Sequence, residues 1–195
     1  MLQYIVFIGG AINLAGSATY FRDTLRGDTK PNRVTWLMWT VAPFIATVAA
    51  VSAGATFAAV PIFMSGFIPL LILIASFVNR KAYWKLEKFD YICGACSVLA
   101  LILWGVTKDP LIAIIFALLS DAFAAVPTLI KAWKYPETET AMAYLAGLIN
   151  ALTFFFAIKT WSITEYLFPI YLIMINIFLF VSVMGKRIFK IRKSD

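Results

Sequence analysis

Apolar residues in this chain collect into seven long runs, at residues 2–20, 34–53, 55–79, 91–107, 111–133, 141–158 and 166–185, and the charged residues fall almost wholly between them. A hydrocarbon layer about 30 Å thick is crossed by roughly 20 apolar residues of helix, with ~17 to 25 as the working range. Every run falls inside that range. The pattern therefore predicts an all-α integral membrane protein with seven transmembrane helices joined by short loops.

Composition agrees with this reading. Hydrophobic residues make up 62% of the chain and charged residues 14%, well outside the norm for soluble domains. The charges are also unevenly placed. Arg22, Arg26, Lys30 and Arg33, then Arg80, Lys81, Lys85 and Lys88, then Lys131 and Lys134, and finally Lys186, Arg187, Lys190, Arg192 and Lys193 fall on one side; only Lys108 and Lys159 fall on the other. Positive residues in short loops stay cytoplasmic, so the N-terminus is expected outside and the C-terminus in the cytoplasm. The net charge of +7 follows from this asymmetry and from attraction to anionic headgroups; it does not mark a nucleic-acid partner. Gly16-Ser17-Ala18 resembles a signal cleavage site only weakly, and Met1 to Tyr4 lack the basic start that a signal peptide needs, so the first run is read as a true span.

Seven spans suit a duplicated three-helix unit, because two units of the same orientation need one extra helix to carry the chain back across. The fourth run is the shortest and fits that linker. An offset of 108 residues brings Pro61-Ile62-Phe63 onto Pro169-Ile170-Tyr171, Arg26 onto Lys134, Trp36 onto Tyr144, Leu37 onto Leu145 and Asn13 onto Asp121. The expected division is a first three-helix bundle over 1–90, an inversion linker helix over 91–108, and a second parallel bundle with a cytoplasmic tail over 109–195.

Val126-Pro127-Thr128-Leu129-Ile130-Lys131-Ala132-Trp133-Lys134, followed by Pro136-Glu137-Thr138-Glu139-Thr140, resembles the pattern of a Pro-Gln loop. Lys30-Pro31-Asn32-Arg33 is its looser counterpart in the first unit. With the 3+1+3 layout, the chain resembles the SWEET (MtN3/saliva) and PQ-loop transporter superfamily over nearly its whole length in topology, but only over short stretches in motif. Thr128 stands where the family has Gln, and Thr19 stands where the first unit should have its proline; both departures leave subfamily and substrate open.

Asp121 is the acid that falls deepest inside a span, near the expected midplane. A carboxylate there costs at least ~2.5 kcal/mol on insertion scales, so such residues commonly serve a function. It is read as a proton-coupling residue or an anchor for a polar solute, against the plainer reading of a neutral acid bonded to Asn150 or Ser17. Superfamily members that move amino acids with protons use embedded acids, which the resemblance extends to Asp121. Trp36, Trp39, Thr40 and Pro43 share one face of the second helix, and Tyr144, Gly147, Asn150 and Ala151 share one face of the sixth. Rings and amides on facing helices make a cleft for a small polar solute, although Trp and Tyr near span ends also form interfacial belts. The resemblance implies an aromatic on the second helix of each unit and an Asn on the third. Trp36 and Tyr144 fit the first role and Asn176 the second, while Ile68 does not match it.

Asn13 joins the substrate-binding set of Trp36, Trp39, Tyr144, Asn150 and Asn176. Its neighbours Gly9, Gly16, Ser17 and Tyr20 form a small polar stripe that helix packing also explains. Pro43, Pro61, Pro127 and Pro169 are candidate hinges, with Pro69 a further proline in a span. Cys93-Gly94-Ala95-Cys96 has redox spacing without the accompanying context, and is read as two ordinary small residues or, as a lesser reading, a palmitoylation site.

The chain has no His, which removes Ser-His dyads, His-ligated haem and most His-dependent metal sites. A single deep acid argues against an aspartyl dyad, and the seventh span lacks a Lys for retinal. No enzyme, cofactor or metal site is expected. The sequence points to an alternating-access transporter of a sugar or amino acid, with proton coupling through Asp121 as an option, in a prokaryotic inner membrane. Partners are the solute and the bilayer, and a homo-oligomer is compatible with the pattern. A non-transporting receptor or cargo-binding protein on the same scaffold is the alternative, since fold does not fix function.

Overall fold

The computed structural model describes residues 4–52, 59–107, 109–156, 158 and 161–191, with side chains throughout except at 49, 50, 52, 59–62, 110, 164 and 186–191. Lys108, Lys159, Arg192 and Lys193 lie outside the described residues. Among those described, the chain forms seven α-helices and no strand: α1 (Ile5–Arg26), α2 (Arg33–Ser52), α3 (Ala59–Val78), α4 (Lys88–Val106), α5 (Pro110–Lys134), α6 (Ala141–Thr153) and α7 (Ile163–Ile191). Three of them contain stretches long and apolar enough to cross a membrane: Lys88–Val106, Leu111–Lys134 and Glu165–Gly185. Arg33–Val48, Phe63–Val78 and Ala141–Phe156 are shorter apolar helices. In α1, Asn13, Ser17 and Thr19 interrupt the apolar run, and Arg22, Asp23 and Arg26 continue the helix past it.

Local chemistry sets the helix ends. Gly27 closes α1 at φ 85, a left-handed conformation that glycine adopts without a Cβ clash. Asn32 Oδ1 accepts from the N–H groups of Val34 and Thr35 at the start of α2, while Asn32 Nδ2 donates to Asp90 Oδ1 at 3.0 Å. Asp90 Oδ2 in turn accepts from Glu87 N at 2.7 Å, completing a capping box on α4. Asp109 caps α5 ahead of Pro110, where the missing N–H is no loss. Pro43, Pro127 and Pro169 lie inside α2, α5 and α7, as does Pro69 in α3. Pro61 falls in the first turn of α3, a place where proline leaves the helix intact; its side chain lies outside the description.

The helices form a closed ring. Among the described residues α3 packs on both α1 and α2, which share no extended contact with each other; α7 packs on both α5 and α6 in the same way. α1 joins α6 and α2 joins α5, closing the order α1, α3, α2, α5, α7, α6. α4 lies alongside α5 and α2. The connections meet at one end: Asn79 Nδ2 donates to Leu25 O at 2.7 Å, Lys30 N to Thr138 O at 3.0 Å, and Asn32 to Asp90 as above. The basic residues of the α1–α2, α3–α4 and α5–α6 connections therefore share that end. The largest buried apolar side chains, Tyr20, Trp36, Ile72, Tyr144, Leu179 and Val183, pack into one cluster there, with Ala132 added from α5. All six ring helices contribute to this core.

Candidate functional site

Tyr20, near the C-terminal end of α1, lies between the two halves of the ring. Its ring stands 4.7 Å from Trp36 on α2 and 6.3 Å, edge-on, from Tyr144 on α6; Trp39 meets Trp36 edge-to-face at 5.2 Å. Such tilted pairs add specificity to burial. Trp36 is 4% exposed and Tyr144 3%, so neither is part of an interfacial belt. Three of the predicted solute-contacting residues are thus brought together, through a tyrosine that the sequence pattern had placed only in the packing stripe of the first helix.

Directly beside this cluster sits Glu139, 2% exposed. Its Oε2 accepts from Tyr20 Oη at 2.9 Å and from Tyr144 Oη at 2.6 Å, and it pairs with Lys131 Nζ at 2.5 Å. Lys131 is buried as well, donates to the backbone carbonyl of Lys30, and lies 5.0 Å from the Trp84 ring centre. Charge counting alone reads Lys131 as a loop cation; it belongs instead to the last turn of α5 and faces inward. The signal available in the sequence was an acid in the short turn before an apolar helix, opposite a Lys at the end of the preceding one.

The amides fall elsewhere. Asn176 on α7 lies against Gly147 of α6, where a Cβ would stand 2.4 Å from Asn176 Oδ1, and its Nδ2 donates to Leu172 O at 2.8 Å. Asn150 lies at the α1–α6 contact, its Oδ1 2.9 Å from the place a Cβ on Gly9 would occupy. Asn13 is half-buried on α1. Asp121 is half-buried on α5 and accepts from Tyr171 Oη of α7 at 2.6 Å; Asn150 and Ser17 are not its partners. The buried atoms Trp36 Nε1, Trp39 Nε1 and Asn150 Oδ1 have no hydrogen-bond partner among the described residues. Buried groups of this kind carry a desolvation cost of roughly 1–3 kcal/mol until something bonds them. Cys93 and Cys96 are free thiols, and no cluster of metal-ligating side chains occurs among the described residues.

Trp39 Nε1 on α2 and Asn150 Oδ1 on α6 each leave a buried polar atom open to a further partner, and Asp121 and Tyr171 join α5 to α7 by one hydrogen bond. No family model, curated protein or solved structure matches this chain.

Proposed function

We propose that the chain is a seven-span membrane transporter of a small polar solute, sugar or amino acid, built as two parallel three-helix bundles with α4 as the inverting linker and resembling the SWEET and PQ-loop carriers. The N-terminus is outside, the basic end is cytoplasmic, and a prokaryotic inner membrane is the expected location. The observation that carries this reading is the repeated packing order, with α3 between α1 and α2 and α7 between α5 and α6. The offset of 108 residues supports it in detail. Thr35 Oγ1 donates to Ala124 O at 2.6 Å; the offset turns that pair into Ala143 and Gly16, which also meet, a Cβ on Gly16 falling 3.7 Å from Ala143 Cα. Lys30 and Thr138, equivalent under the same offset, bond to each other.

Two such bundles can rock against one another about a site between them, which is the basis of alternating access. Trp39, Asn150 and Asn176 contact the solute, Asn13 borders it, Trp36 and Tyr144 close over it, and Asp121 binds it or carries a coupled proton. The test is uptake into liposomes by the purified protein, with labelled sugars and amino acids, with and without an inward proton gradient. Transport is expected for wild type, and Trp39→Ala should lose it while the protein stays folded. A folded wild type that moves none of these solutes would shift the assignment to a receptor.

A further inference from the structure

Contacts at the basic end of the ring converge on one buried ion pair. Glu139 gathers Tyr20 of α1, Lys131 of α5 and Tyr144 of α6. Lys131 extends the set to the α1–α2 connection through the Lys30 carbonyl and to the α3–α4 connection through Trp84. Around it, Thr140 Oγ1 donates to Asp23 Oδ2 at 2.9 Å and lies 2.6 Å from Thr29 Oγ1. Most of these contacts run between residues before α4 and residues after it.

We propose that Glu139 and Lys131 form a latch that holds the basic end of the ring shut, and that separating it from Tyr20, Lys30 and Trp84 opens the solute path at that end. The proposal rests on the transporter reading and names the step that exposes its site.

A buried ion pair is a poor device for stability alone, because desolvation cancels much of its attraction and apolar residues of the same volume hold as well. It differs from an apolar plug in what happens on opening. Water that enters can hydrate the carboxylate, the ammonium and both phenols, so every group broken out of the closed state finds a partner. An apolar plug would instead expose its whole surface to water. The latch thus gives two discrete states, in each of which the carboxylate, the ammonium and the two phenols are partnered, which is the property a switching element needs.

The neighbouring packing agrees with closure at this end. Tyr20, Trp36 and Tyr144 fill the ring beside the pair, and the large buried apolar side chains collect there. Of the buried atoms without a hydrogen-bond partner among the described residues, Trp36 Nε1 lies in this cluster, while Trp39 Nε1 and Asn150 Oδ1 lie further along α2 and α6.

The test uses a protein with Cys93→Ala and Cys96→Ala, reconstituted in lipid nanodiscs, carrying Ala132→Cys as the basic-end reporter. Ala132 is fully buried in the basic-end cluster, one residue from Lys131. The rate of labelling by a polar maleimide is compared in the parent, in Tyr20→Phe, which deletes one hydroxyl and keeps the ring, and in Glu139→Gln. A second reporter, Ala151→Cys, sits buried near the other end of α6. Loss of a hydrogen bond to a charged group predicts labelling of the basic-end reporter about tenfold faster in Tyr20→Phe, and at least as fast in Glu139→Gln, with the second reporter unchanged. Equal rates at the basic-end reporter in all three proteins would overturn the latch, as would a parallel rise at both reporters. Failure of wild type to take up any solute would sink the transporter reading without altering these rates.

Discussion

Replacing Gly16 with Ala tests whether α1 and α6 are held by close backbone approach. A Cβ at Gly16 would stand 2.2 Å from Ala146 Cβ and 3.0 Å from the Met142 carbonyl oxygen. Two carbons need ~3.5 Å, so the helices must part by about 1.3 Å or α1 must roll. Neither obstacle is the end of a flexible side chain. Overpacking of this kind costs roughly 1–3 kcal/mol. Gly10 supplies the control, because a Cβ there meets nothing within 4 Å. Both exchanges gain the same helix propensity, about 1 kcal/mol in water, so their difference isolates the clash. Gly16→Ala should therefore be less stable than Gly10→Ala by roughly 1–3 kcal/mol, read as the unfolding midpoint in SDS titrations of detergent-solubilised protein followed by circular dichroism. Coincident midpoints would refute the close contact of α1 with α6, and with it the closed ring.

Lys131→Met strands a buried carboxylate and should destabilise by roughly 3–5 kcal/mol; adding Glu139→Gln should recover most of the loss in the same titration, and a double variant no better than the single would show that the pair is hydrated in the folded protein. For Asp121, the hydrogen bond and the proton are separable: Asp121→Asn should make liposome uptake independent of the proton gradient, whereas Tyr171→Phe, which removes only the donor, should keep that dependence. Loss of gradient dependence in both would assign the role to the bond instead of the acid.

Helix number was legible in the apolar runs, because a bilayer demands long uninterrupted stretches and leaves little ambiguity of type. The end of α5 was not. Charge counting sets Lys131 with the following loop although it lies inside the run that ends at Trp133, and Lys134 is expected just past that run, yet α5 continues through both, and Lys131 is met by a carboxylate across the turn. The candidate site was legible by face and not by neighbour. Spacing puts Trp36 and Trp39 on one side of α2, but only the ring order brings Tyr20 between Trp36 and Tyr144. Glu139 was missed for the same reason: a lone acid before a helix looks like a solvated turn until two phenols and an ammonium from three helices surround it. The partner of Asp121 was likewise a matter of packing, because Tyr171 lies 50 residues away in sequence and becomes a neighbour only when α7 sits beside α5.

The two seams of the ring are chemically unlike, and this decides which one can open. Between α2 and α5, Thr35 donates to Ala124 O and accepts from Thr128 Oγ1 at 2.9 Å. α4 ties the same seam from outside, through Ser97 and Ser120, whose hydroxyls lie 3.0 Å apart, and through Asp90 on Asn32. The Asn32–Asp90 bond lies at the basic end, but the Ser97–Ser120 pair lies midway along α4, where the proposed bilayer offers nothing to replace it, so this seam is costly to part. The α1–α6 seam sets Gly16 against Ala146 and Gly9 against the Thr153 and Asn150 side chains, while its hydrogen bonds from Tyr20 to Glu139 and from Thr140 to Asp23 lie at the basic end, where water can reach. Rocking should therefore pivot on α2, α4 and α5 and open between α1 and α6. In a protein with Cys93→Ala and Cys96→Ala, a disulfide between Thr29→Cys and Thr140→Cys, whose native hydroxyls are 2.6 Å apart, should arrest uptake until it is reduced. One between Thr35→Cys and Thr128→Cys, which does cross from α2 to α5, should leave uptake running. Arrest by the second cross-link and not the first would place the pivot on the opposite seam and refute the argument.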